Sequence, residues 1–135
     1  MGKIKIAAIV FIVTALVCGC SVEKTKTEKI KDLEFTVVPE EEIPEELGEK
    51  IKEQQENVFK FTYADKGYLY IAQGYGEQET SGYSIVADQL YETENAIYVH
   101  TMLQGPPKEE TVSEKPTYPY IVLKLEFIDK TVVFE

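Results

Sequence analysis

Residues 58–74, from Val58 to Gly74, read VFKFTYADKGYLYIAQG, and this stretch decides the fold. Val58–Tyr63 and Tyr68–Gly74 are rich in aromatic and β-branched residues, and apolar and polar side chains alternate with period two along the first run. Between the runs, Asp65-Lys66-Gly67 supplies turn chemistry, with a glycine free to take a positive φ. The spacing predicts a β-hairpin. Downstream, period two continues through Tyr83–Tyr91, a turn at 92–95 and Ala96–Leu103, where Ile97, Val99, Thr101 and Leu103 share one face. A long loop, 104–117, follows. Tyr118–Phe127 places Ile121, Leu123, Leu125 and Phe127 on one side and Val122, Lys124 and Glu126 on the other. Asp129-Lys130 then turns the chain into a last strand, Thr131–Phe134.

Upstream of the hairpin the period changes. Glu40–Asn57 carries Ile43, Leu47 and Ile51 every four residues, a narrow apolar stripe for packing on a sheet. Pro44 suits a first helical turn, the acids from Glu40 to Glu46 suit an N-terminal end, and Glu46 and Lys50 are spaced as an ion pair. Asp32–Val38 is a short strand candidate closed by Pro39. The class is therefore α+β, mainly β: one N-terminal amphipathic helix, then a small antiparallel β-sandwich or barrel-like sheet. If successive strands reverse direction, the short turns gather at one end. The loops at 75–82 and 104–117 become neighbours at the other. Loops beyond about 12 residues are usually functional or disordered, which draws attention to that end.

The first residues carry an address. Lys3 and Lys5 precede an uncharged apolar run, Ile6–Val17. It is shorter than the roughly 20 residues of a membrane-spanning helix and fits a secretory h-region. Val17-Cys18-Gly19-Cys20 resembles the bacterial lipobox and assigns lipidation to Cys20. Two acyl chains would anchor the chain stably. The organisation expected is a lipoprotein signal peptide at 1–19, lipidated Cys20 and a flexible tether at 20–31, strand and helix at 32–57, and a β-domain at 58–135. The location expected is the extracytoplasmic face of a bacterial membrane, through the lipid anchor only.

Composition removes several functions. The formal net charge is -10, and all 14 basic residues are lysine. Removing residues 1–19 takes away Lys3 and Lys5 and no acid, so the rest is more acidic still. Such a surface repels nucleic acid. Both cysteines precede the folded part and His100 is the sole histidine, so a His/Cys metal cluster is excluded and no cofactor is expected.

Gly74–Ile85, GYGEQETSGYSI, separates two strand runs and holds three glycines. It lacks the spacing of a dinucleotide fingerprint and the Gly-Lys-Ser/Thr of a P-loop, and Glu77 and Glu79 would repel phosphate. A Ser-His-Asp system would need His100, which lies mid-strand. Glu77 and Glu79 have no apolar pocket to separate their pKa values. No catalytic residue is assigned. What remains is a shaped contact loop of Gly76, Thr80, Ser81, Gly82 and Tyr83. Its expected neighbours are Pro106, Pro107, Tyr118, Pro119 and Tyr120, with a bend or cis bond at Pro119 between two tyrosines. Tyrosine binds protein or sugar at little entropic cost.

Tyr68–Ile85, with Gly105-Pro106 and Tyr118-Pro119-Tyr120-Ile121-Val122, resembles the C-terminal domain of the protease complex subunit PrcB family, over about Phe59 to Phe134. Gly76, Thr80, Gly82 and Tyr83 match its Gly-x-x-x-Thr-Gly-Gly-Tyr-type loop. Pro119, Tyr120 and Val122 match its Pro-Tyr-Val/Ile-Val strand. Glu79 stands where a proline commonly precedes the threonine, and Ser81 replaces the middle glycine, two changes that loosen the loop. Thr80-Ser81-Gly82-Tyr83 is also similar to the Thr-Thr-Gly-Tyr loop of chagasin-type protease inhibitors. These resemblances imply an exported, non-enzymatic binding or accessory protein whose partner is another protein, such as an extracytoplasmic protease. The alternatives are a peptidase inhibitor presenting the Thr80–Tyr83 loop and a cell-wall or carbohydrate-binding module using exposed tyrosines.

Overall fold

The structure is a computed structural model and describes residues 29–135. The expected signal segment, Cys20 and residues 21–28 of the expected tether lie outside the described residues. The strands are β1 (Lys29–Asp32), β2 (Thr36–Val37), β3 (Val58–Asp65), β4 (Tyr68–Tyr75), β5 (Ser84–Thr93), β6 (Ala96–Gln104), β7 (Tyr120–Glu126) and β8 (Thr131–Phe134). Among the described residues one α-helix, α1 (Glu45–Gln54), precedes β3. Among the described residues the strands form two sheets of four, ordered β1-β5-β6-β8 and β2-β7-β4-β3, with no closed barrel. All pairs are antiparallel except β6–β8.

β4 and β7 lie at the centre and are buried on both faces. Leu69 and Ile71 of β4, with Ile121, Leu123 and Leu125 of β7, meet Leu90, Ile97 and Val99 of the other sheet. Their opposite faces present Tyr70, Ala72 and Val122 to Leu47 and Ile51 of α1. The layers run helix, sheet, sheet, and the outer face of the β5–β6 sheet has no helix over it among the described residues. Gln73 and Thr101 are buried between the sheets near the loop end. Tyr75 Oη lies 2.6 Å from Thr101 Oγ1, which donates to Gln73 Oε1 at 3.0 Å. This polar chain is bonded throughout, so it joins the sheets without the cost of an orphaned group.

Several local expectations change. Asp32–Val38 is not one strand: β1 pairs with β5 in one sheet, β2 pairs with β7 in the other, and Leu33–Phe35 cross between them. β1 includes Lys29, Ile30 and Lys31, which the sequence assigned to the tether. Glu40–Glu42 form a separate 3-10 turn, and Pro44 sits before the helix as its N-cap residue. Its ring fixes φ but clashes with a preceding helical turn, so α1 starts after it. Glu46 accepts a hydrogen bond from the Tyr63 hydroxyl at 3.2 Å and does not pair with Lys50. Phe127 lies past the end of β7 and is half exposed, outside the row of Ile121, Leu123 and Leu125. No peptide bond among the described residues is cis, so Tyr118–Pro119 is trans.

The hairpin turn is shorter than its sequence signal. Lys66 and Gly67 alone connect β3 to β4, with φ of 51° and 84°. Positive φ at both positions is what a type I′ turn needs. Gly74 answers a different demand. A methyl group there would run into the ring of Phe59.

Leu47 is fully buried by the sheet it covers. Leu47→Ala is expected to lower the free energy of unfolding by about 2–5 kcal/mol in a urea titration, with one transition retained. A loss below about 0.5 kcal/mol would place α1 outside the cooperative unit.

Candidate functional site

Four connections carry the chain between the sheets; 33–35 and 127–130 are short, and two are long: 76–83 from β4 to β5, and 105–119 from β6 to β7. The two long ones lie at the same end and are zipped together. Gln78 and Thr117 exchange two backbone hydrogen bonds, N to O at 2.8 and 3.0 Å. Ser81 N donates to Ser113 O at 3.0 Å, and Ser113 N donates to Ser81 Oγ at 2.8 Å. The Thr117 hydroxyl donates to Thr80 O at 2.7 Å. Tyr75 N donates to Pro119 O at 3.1 Å, where the zipper runs into the β4–β7 ladder.

The contact-loop residues therefore have structural work within the loops. Gly82 has φ +90°, and a Cβ there would lie 2.7 Å from Pro106 Cβ and 3.1 Å from Val112. Conformation and space both require glycine. Gly76 also has a positive φ. The Thr80 hydroxyl donates to Ser81 O at 3.0 Å. Ser81, expected to loosen the loop, instead adds an acceptor for Ser113 that a glycine would lack. Pro107 O accepts from Glu110 N at 3.0 Å, which turns the second loop back toward Gly82.

The tyrosines divide. The Tyr75 hydroxyl points between the sheets to Thr101. Tyr120 packs on Phe59, with ring centroids 6.4 Å apart, in the core beneath the helix. Burial, and then Glu40, raise its pKa. Tyr83 and Tyr118 stay half-exposed at the loops. Tyr118 donates to Glu77 Oε1 at 3.3 Å. Its partial burial and this carboxylate hold the phenol above its ordinary value. Sequence reasoning brought the two loops together but missed Gln78, Ser113 and Thr117, the residues that join them. Strand parity gives the end of a sheet and carries no information on loop register.

His100 stands on the outer face of the β5–β6 sheet, its Nδ1 2.6 Å from Asp88 Oδ1. Asp88 is the extra residue of a bulge between Ala87 and Gln89. The Val86–Met102 pair separates His100 from Ser84 along that face. Among the described residues no group of three or more His, Cys, Asp or Glu could hold a metal ion.

Gly82→Ala is expected to destabilise the domain by about 1–3 kcal/mol in urea and to speed hydrogen exchange at the Ser81 and Ser113 amides. The Tyr118 phenol donates to Glu77 only while protonated, so the bond is lost as pH climbs through its raised pKa, later than for an ordinary tyrosine. Glu77→Gln should lower the Tyr118 pKa in an ultraviolet titration. It should not restore the ordinary value, because burial remains.

No curated protein and no solved structure matches the chain. One family model does, described as PrcB C-terminal, and it covers residues 69–126. This is narrower at both ends than the sequence resemblance, and it spans β4 to the end of β7 with both long loops inside it. Residues 69–126 of this chain match the PrcB C-terminal domain, in line with the resemblance read from the sequence.

Proposed function

We propose that the chain is a lipid-anchored, extracytoplasmic and non-enzymatic accessory protein that associates with a surface protease through its zipped loop end. The observation that carries this reading is the direction of the chain at Lys29. β1 begins opposite Thr93, beside the short Glu94–Asn95 turn. A tether entering there leaves the zipped loops at the far end of the strands, facing away from the membrane. The loops are held by backbone bonds, so little conformational freedom is lost when a partner docks. Glu77, Glu79, Glu109, Glu110 and Glu114 outnumber Lys108 and Lys115 on them, which favours a partner surface carrying positive charge.

Glu79 is exposed and takes no part in the zipper. A photo-crosslinking residue at position 79 in cells should capture one protein from the membrane fraction, and that protein should be a protease or its subunit. The same residue at position 66, in the opposite turn, should not capture it. Equal capture from both positions, or capture of lipid-biosynthetic or wall-bound material alone, would overturn the reading.

A further inference from the structure

The four sheet edges are not alike. β2 has two residues, β8 has four, and β1 has four with a register shift after Lys29. Short or irregular edges are how proteins avoid pairing with other chains. β3 is different. It has eight residues, pairs with β4 in unbroken register, and contains neither a proline nor a bulge. Among the described residues no strand lies on its other side.

The exposed backbone groups can be named. The two-residue turn makes Asp65 and Tyr68 a hydrogen-bonded pair, so Phe59, Phe61, Tyr63 and Asp65 bond to β4. Val58, Lys60, Thr62 and Ala64 then turn their N–H and C=O groups outward. All four are exposed, Val58 at 68%.

Two different surfaces flank this edge. Toward the helix stand Phe61 and Tyr63, with Glu46 bonded to the Tyr63 hydroxyl and Asp65 at the strand end. Partial burial, followed by Glu46 and Asp65, raises the Tyr63 pKa. Toward the second sheet, a cleft of about 470 Å³ opens between β3 and β8. Leu69, Ile128, Val132 and Phe134 give it apolar walls, and the Lys60 ammonium stands 5.8 Å from the Phe134 ring. Side chains of an added strand would alternate between an acidic rim and an apolar cleft.

We propose that the free edge of β3 accepts an extended segment of another protein as an added strand, with Lys or Arg at every second position toward α1 and apolar residues between them in the cleft. This is strand addition, in which backbone bonds give affinity and alternate side chains give selectivity. A second copy fits less well, because it would bring its own acidic rim to the same edge. The assignment is independent of the loop end.

The test uses residues 29–135 and the full chain side by side, with a fluorescein-labelled peptide of alternating Lys and Val as probe. In fluorescence anisotropy it should bind at least about tenfold more tightly than alternating Glu and Val at low salt, and the preference should shrink as salt is raised. The same Lys/Val peptide N-methylated throughout should not bind. Thr62→Pro removes an outward N–H that the fold does not use, so it should keep the wild-type circular dichroism and weaken binding at least about tenfold. Equal binding of the Glu/Val peptide, or full binding to a folded Thr62→Pro variant, would overturn the assignment. So would a wild-type dimer in sedimentation that Thr62→Pro dissolves.

Discussion

The pairing of β4 with β7 is covered on both faces along most of its length, and the rest of the fold follows from that. One face of the pair needs a second sheet and the other needs a helix. β5, β6 and β8 supply the first cover; Leu47 and Ile51 supply the second. Both central strands belong to one sheet while their sequence neighbours β5 and β6 belong to the other. The chain must therefore cross between sheets twice at the same end, and those crossings are the two long loops. The zipped loop surface at that end is a by-product of burying β4 and β7 twice over.

The sequence made the strands and their order legible because period two survives burial on one face. β6 shows this, with Ile97, Val99 and Thr101 inward and His100 and Met102 outward. It was less informative for Tyr68–Gly74, where both faces are covered and nearly every residue is buried. Sheet membership was not legible at all. β8 runs parallel to β6 because β7, before it, sits in the opposite sheet, and no local spacing encodes that. The split of Asp32–Val38 into β1 and β2 has the same origin: its alternation continues smoothly while the chain changes sheets at Leu33–Phe35.

In the site, glycines were the readable part. Gly76 and Gly82 take positive φ, and Gly74 makes room for Phe59, each a demand on a single residue that composition can betray. The bonds between loops were hidden, since Ser113 and Thr117 look like ordinary polar loop residues until the register with Gln78 and Ser81 is known. Tyr75 and Tyr120 misled for a related reason. Tyrosines near a strand end suit a surface, yet one hydroxyl completes a buried polar chain and the other ring fills the layer beneath the helix.

The entry of the chain through β1 also has a mechanical side. Lys29 lies at one end of the strands and the zipped loops at the other. Tension between an anchor and a bound partner would run along the strand axes. Antiparallel hydrogen bonds lie across those axes, so such a load would be shared among several bonds of β1 with β5 in shear, not taken one at a time as in peeling. The crossing at Leu33–Phe35 would pass what remains through β2 to β7, which pairs with β4 along its whole length.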